Sequence, residues 1–399
     1  MGEGFQPKTP RELEAVVKWA AAEQVPLEVI GSGSKRKWGR QVQSAHTLRV
    51  DGISGIIDYE PDELVITLKA GTPIQEVQAL LAQHNQELPF EPMNLSGILD
   101  TPETAGTIGG VLATNLSGPR RLKAGAARDH VLGLKAVSGR GEIFKAGGRV
   151  VKNVTGYDLS RGFCSSWGTL AVATSFSIKV LPRAAGELTF ALLGLTPQQA
   201  ADAMSQAMGS SAEVSSAAYL PKGLSTLTQE HALTLLRLEG IPVSVDYRLN
   251  KLRSLLNQFT QQETFESAHS QQIWADIRDI TVFAGSTNPL WKLSVAPTQG
   301  HKIIAEMEKQ FALKYQMDWA GGLIWLEMLS GEVHDVPLRQ LIADYGGGHA
   351  TLVRAGAEQR ASIDVFQPQS EALMALSRRL KAQFDPHSVL NPGRMYASI

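Results

Sequence analysis

Leu13, Val16, Val17 and Ala20 recur at helical spacing behind Thr9-Pro-Arg-Glu12. Thr9 is placed as N-cap, Pro10 at the first helical position and Glu12 at the third, so a helix is predicted from Pro10 to about Glu23. Pro26–Ile30 follows as a short buried strand that runs into Gly31-Ser-Gly-Ser34. Strand patterns continue at Thr47–Val50, Ile56–Tyr59 and Leu64–Leu68. Thr72-Pro-Ile-Gln-Glu76 repeats the helix-start pattern and predicts a helix through Gln83. Val131–Ser138, Glu142–Lys145 and Leu170–Leu181 read as further strands, with a Gly-Arg-Gly turn at 139–141.

Pro182-Arg-Ala-Ala-Gly186 marks a boundary, after which strands and helices alternate. Strand Leu188–Leu193, helix Pro197–Met208, strands Val214–Leu220 and Ala232–Leu238 and helix Val243–Phe259 form one series. A second follows: strand Leu290–Ala296, helix Gly300–Phe311, strand Gly321–Met328, helix Val336–Tyr345 and strand Ala350–Val353. This spacing predicts a ferredoxin-like α/β layer. Ser370–Phe384 reads as a last amphipathic helix, and no sequence repeat stands out. The expected architecture is α+β in two lobes, 1–185 and 186–399, with the last dozen residues returning to the first.

Composition narrows the function classes. With 399 residues, 43% apolar and 19% charged, the chain can bury two substantial cores. A formal net charge of −1 favours neither nucleic acid nor an anionic membrane surface. No apolar run approaches the ~20 residues that span a bilayer, and no secretory signal pattern opens the chain. Cys164 is the single cysteine, which fits a reducing cytoplasm. An iron–sulfur cluster needs about four thiolates, so electrons leaving in several steps require another molecule or polypeptide.

The chemistry-bearing segments are two glycine-rich stretches, Gly31-Ser-Gly-Ser34 and Gly106-Thr-Ile-Gly-Gly-Val-Leu-Ala-Thr-Asn115. Such loops aim successive amides at one anion, and a pair of them suits a diphosphate held from two sides. That reading makes Gly31, Ser32, Gly33 and Ser34 donors to a dinucleotide, and Thr107, Gly109 and Gly110 the opposite wall. Gly168-Thr-Leu-Ala-Val-Ala-Thr174 follows as a core strand beside the cofactor, and Lys152 and Tyr157 are placed nearest its reactive ring.

These segments, together with Asn115, Gly118 and the terminal Asn391-Pro-Gly-Arg394, resemble the vanillyl-alcohol-oxidase-like (PCMH-type) FAD flavoproteins. Lys152-Asn-Val-Thr-Gly-Tyr-Asp-Leu159 and Gly347-Gly-His-Ala-Thr-Leu352 are most similar to the E-subunit family of bacterial glycolate oxidases. The resemblance implies a PCMH-type domain that binds FAD through the loop residues above, with Asn115, Gly168, Thr169 and Arg394 added. It also implies a cap domain, with flavin between the lobes.

Three departures from the wider family shape the expectation. Ser34 stands where covalent members carry histidine, which implies non-covalent FAD. The His-x-Gly-Asp-Gly-Asn metal motif of catalytic relatives is missing, and His334, His349 and His387 are scattered, so no metal is expected. The second half is sparse in arginines that would clamp a 2-hydroxy carboxylate. The expected role is the FAD-binding subunit of a complex that oxidises glycolate, and D-lactate as a further substrate, to the 2-oxo acid. It would work beside a catalytic flavoprotein subunit and an iron–sulfur subunit, in the cytoplasm or peripheral to the inner membrane through those partners. The alternatives are a self-sufficient dehydrogenase of another 2-hydroxy acid and an assembly subunit with structural FAD. No catalytic residue is assigned; His349 is the one candidate base. Trp319 and Trp325 are candidates to border the isoalloxazine or a partner.

Overall fold

The computed structural model describes residues 4–101, 106–149 and 157–399. The chain divides into two compact units, Met1–Ser117 with Gly125–Arg183 and Pro368–Ile399, and Gly118–Ala124 with Ala184–Gln367. The helix Glu371–Phe384, read from sequence as part of the second lobe, thus belongs to the first unit. Lys381 explains this. Its buried ammonium donates to the carbonyls of Thr169 and Leu390, at 2.7 and 2.8 Å, and to the Asp385 carboxylate at 2.7 Å. Three charge-assisted bonds offset the desolvation that holds the lysine below its ordinary pKa.

In the first unit, helix Pro10–Glu23 begins as its sequence predicts. Thr9 Oγ1 accepts from the Glu12 amide at 3.2 Å, and Leu13, Val17 and Ala20 are fully buried. A five-stranded antiparallel sheet runs in the order Ile56–Glu60, Val65–Lys69, Ala171–Lys179, Val131–Ser138, Ile143–Gly147. Beside it lies a parallel sheet in the order Gly4–Phe5, His46–Arg49, Leu27–Ile30. Thr72 departs from the expected capping role. Helix Ile74–Gln83 has Pro73 as N-cap, while the Thr72 hydroxyl donates to Lys69 O at 2.7 Å and accepts from the Gly55 amide at 3.0 Å. Proline at N-cap has no side-chain acceptor, so Thr72 serves the turn instead.

The second unit holds an antiparallel eight-stranded sheet among the described residues. It is built from two successive β-α-β-β-α-β halves. The first half contributes the order Gln262–Glu266, Gly186–Leu193, Leu233–Gly240, Ser216–Leu220. The second contributes Leu313–Asp318, Leu323–Met328, Leu290–Val295, Gly348–Arg354, and the halves join through Tyr219 opposite Met317. Each half has the fourth-first-third-second strand order of a ferredoxin-like layer. The repeat lives in topology, which is why the sequence did not display it. One correspondence is nonetheless plain: Glu239 and Glu327 occupy the same position on the third strand of each half. Each holds an arginine: Glu239 pairs with the partly buried Arg120 and Glu327 with the buried Arg354.

Candidate cofactor site

Strand Leu27–Ile30 delivers the chain into Gly31-Ser-Gly-Ser34, and this loop forms one side of an open cavity. The opposite side is helix Ile108–Thr114, contributing Gly109, Gly110, Ala113 and Thr114 behind Thr107. Ala171, Val172 and Ala173, at the start of their strand, line the floor, with Phe163 and Trp167 beside them.

The first loop is rich in unengaged donors. Among the described residues, the amides of Ser32, Gly33 and Ser34 donate to none, and the buried Ser32 hydroxyl has no partner. Gly33 has φ 82°, a left-handed conformation that glycine adopts without steric cost. A buried hydroxyl without an acceptor is costly, and with amides lining the same cavity the loop suits an anion. The second loop differs. Its Ile108 and Gly109 amides donate to Thr72 O and Ala70 O, at 2.9 and 2.8 Å, and Gly110 N donates to Thr107 Oγ1 at 3.3 Å. Gly109 is required by packing, since a Cβ there would stand 2.8 Å from Ala70 O. A Cβ on Gly110 would meet nothing nearer than Thr107 Oγ1 at 3.5 Å. Gly110 therefore keeps the cavity open. Unengaged amides on one wall, a bare glycine face on the other and an apolar floor fit a dinucleotide diphosphate with its flat rings.

The chain terminus braces the donor loop. Arg394 donates to the carbonyls of Arg36, Arg40 and Lys35 at 3.2, 3.1 and 2.9 Å, and its guanidinium lies 5.7 Å from the Trp167 ring centroid. Asn391 accepts from the Val29 amide at 2.7 Å and donates to Trp167 O at 2.8 Å. A Cβ on Gly168 (φ 70°) would strike Asn391 Nδ2 at 2.9 Å, which ties the strand start to the same brace.

A family model described as an FAD binding domain matches residues 5–147. The chain is 34% identical to glycolate oxidase subunit GlcE of Escherichia coli over 386 residues, 96% of each chain. It belongs to the glycolate oxidase E-subunit family. Glycolate oxidase subunit GlcD of Bacillus subtilis is 23% identical over 98% of this chain and 88% of its own. The crystal structure of 4-ethylphenol oxidase from Gulosibacter chungangensis has the same fold, with a TM-score of 0.73 and 12% identity over 99% of this chain and 89% of its own. The E-subunit family member described here is thus an FAD-dependent oxidoreductase of PCMH-type fold, and FAD is its cofactor.

Of the residues read from sequence as FAD ligands, Gly31, Ser32, Gly33, Ser34, Thr107, Gly109, Gly110, Gly168 and Arg394 all line this cavity. Asn115 and Thr169 do not. Asn115, at φ 50°, ends helix Ile108–Thr114 and accepts from the Arg128 amide at 3.0 Å, while the Thr169 hydroxyl donates to Ser166 O at 2.6 Å. Both hold turns. Lys152 lies outside the described residues, and Tyr157 is 93% exposed and lines no part of the cavity. His349 belongs to the second unit, exposed on the edge strand Gly348–Arg354 opposite Ser294. Trp319 and Trp325 are buried in the same unit. Cys164 fills space in the first core, its thiol pushed up to about 12 by burial.

Sequence reasoning missed Lys35. It is buried at the cavity wall, donates to Ser34 Oγ at 3.2 Å, and is lowered to about 8 by desolvation. The available signal was its place directly after the glycine-serine loop. Trp167 was also missed as a lining residue; its φ of 55° follows from the tight turn into Gly168. Among the described residues, no group of three His, Cys, Asp or Glu is arranged to hold a metal, and no helix is long and apolar enough to cross a membrane.

Proposed function

We propose that this chain is the FAD-binding subunit of a glycolate oxidase complex that converts glycolate to glyoxylate and accepts D-lactate as a further substrate. The observation that carries this reading is the end-to-end likeness to the Escherichia coli subunit. FAD, when bound, supplies the two-electron acceptor for a CH–OH group. The Ser32, Gly33 and Ser34 amides would hold its diphosphate, and Gly110 would leave room for it. Arg394 and Asn391 would fix the donor loop, while Phe163, Trp167 and Ala171–Ala173 keep water from the rings. Attachment is non-covalent, because Ser34 offers no ring nitrogen at the position used by covalent relatives.

A catalytic flavoprotein subunit and an iron–sulfur subunit complete the complex. The cysteine count supports that division, since one buried thiol cannot ligate a cluster. The assembly is placed in the cytoplasm, or at the inner membrane through its partners.

Anaerobic mixing with glycolate and with D-lactate tests the reading. The FAD-loaded single chain should keep its oxidised flavin absorbance, the complex co-purified with its partners should bleach, and acid precipitation should release the flavin. Rapid bleaching of the isolated chain would instead establish a self-sufficient dehydrogenase. A complex that forms but never bleaches would leave its FAD structural.

A further inference from the structure

Helix Glu371–Phe384 turns a cation inward. Of its 14 residues Lys381 is the buried one, while Leu373, Leu376 and Leu380 stay exposed. A buried ion pair commonly adds little net stability over apolar replacements of similar volume. The use of Lys381 therefore lies in where its bonds point. Its ammonium donates to Thr169 O at 2.7 Å and to Leu390 O at 2.8 Å. Thr169 follows Gly168 and Leu390 precedes Asn391, two residues that line the cofactor cavity on separate segments. Lys381 itself lines no part of it.

The segment after the helix is a strap. Asp385, the third partner of the ammonium at 2.7 Å, accepts from the amides of Val389 and Leu390 at 3.0 and 2.8 Å. Residues 389–391 then run parallel to strand Leu27–Ile30, with Leu27 N donating to Val389 O at 2.7 Å and Asn391 N to Leu27 O at 3.0 Å. The Asn391 side chain reaches Val29 and Trp167, and Arg394 reaches the carbonyl of Lys35, directly after the donor loop. Donor loop, Trp167–Gly168 turn and strap meet at residues 389–394. Lys381 fastens the start of that strap to the approach of the floor strand.

We propose that Lys381 is a positioning residue for FAD: it locks strap 389–394 to the Gly168–Thr169 turn, so that strap docking and cofactor binding stabilise each other. That FAD lies in this cavity rests on the function proposed above. The effect is reciprocal by linkage. A fastened strap raises FAD affinity, and bound FAD holds the strap down.

Hydrogen exchange and FAD titration of the full-length chain test the two directions. In wild type, FAD at about 100 times its dissociation constant should slow exchange of the Leu27, Val29 and Asn391 amides, which report strap contacts, by at least about tenfold. Lys381→Met should weaken FAD binding at least about tenfold. That variant leaves the Asp385 carboxylate buried without its cation, so Lys381→Met with Asp385→Asn, which removes both charges, separates folding from positioning. The double variant should melt closer to wild type than the single one and bind FAD as weakly, and FAD should slow its strap amides about twofold at most. Wild-type strap exchange that ignores FAD would overturn the link. Gly110→Val, titrated in parallel, tests the site itself. If it loses FAD while the double variant keeps wild-type affinity, the link alone fails; if it too keeps wild-type affinity, the placement of FAD in this cavity fails with it.

Discussion

The two glycine-rich stretches look alike in sequence and do opposite work. Gly31–Ser34 presents amides and a hydroxyl with no partner among the described residues, whereas the amides from Ile108 to Gly110 are already bonded to Thr72, Ala70 and Thr107. In the reading proposed above, one wall would bind and the other would make room. Glycine is required for a different reason at each point: backbone conformation at Gly33, packing against Ala70 at Gly109, and open space at Gly110. Counting glycines locates a cofactor loop, but only the hydrogen bonds around them separate a donor from a spacer.

The sharpest way to break this distinction is a pair of neighbouring substitutions. Gly110→Val adds bulk where nothing stands nearer than 3.5 Å, so apo stability should stay within about 0.5 kcal/mol of wild type. FAD affinity should nonetheless fall at least about 100-fold, since displacing the diphosphate forfeits several charge-assisted bonds of about 1.5–3 kcal/mol each. Gly109→Val should do the reverse first, destabilising the apo chain by about 1–3 kcal/mol because its Cβ meets a backbone carbonyl at 2.8 Å. Thermal melts of the apo proteins and fluorescence titration with FAD give both quantities. Equal stability losses in the two variants would erase the difference between spacer and packing glycine.

A smaller effect comes from the donor wall. Ser32→Ala removes a hydroxyl that lacks a partner among the described residues, so apo stability should hold or rise slightly. FAD should bind roughly tenfold more weakly, the worth of one hydrogen bond to a charged group. Unchanged affinity in the same titration would show that this hydroxyl faces no phosphate.

Much of the scaffold behind this comparison was legible. Helices Pro10–Glu23 and Pro197–Met208 carry a capping threonine, a proline at the first position and regular apolar spacing, and they end where the spacing ends. What escaped was the weakly apolar part of the second unit. Gln-Glu-Thr-Phe-Glu266 is an edge strand with one large apolar side chain, and Leu313–Asp318 is half polar, Gln316 donating to Ile277 O on a helix and Asp318 accepting from the Trp319 amide in the turn that follows. Helix Ser267–Asp279 buries little more than Ile273, Trp274 and Ile277, too few residues to show a period. At the site, Asn115 and Thr169 were drawn in by their place in the motifs, and their side chains hold turns. Lys35 was overlooked because a lysine after a loop is ordinarily solvated, and only the fold buries it.

Lys35 gives the smallest effect, with a sign that separates the empty loop from the filled one. Its ordinary pKa of 10.5 is lowered to about 8 by desolvation in the folded chain. Between about 8 and 10.5 the unfolded chain binds more protons than the folded one, so apo stability should rise with pH across that window. FAD affinity should move the other way. An anion held by the Ser32–Ser34 amides favours the charged lysine, so binding takes up a proton and weakens as pH rises above about 8. The loss should stay below about tenfold, because Lys35 adds one charge to a site whose other donors do not titrate. Titrations with FAD from pH 7 to about 10, set against apo melts over the same range, measure both slopes. In Lys35→Met the affinity slope should flatten and the stability slope should shrink by the share of Lys35, the desolvated Lys292 and Lys381 keeping theirs, with affinity at pH 7 reduced by a similar factor. A wild-type affinity that is flat in pH, or that rises with the apo stability, would place Lys35 away from the diphosphate and leave the donor wall to the backbone alone.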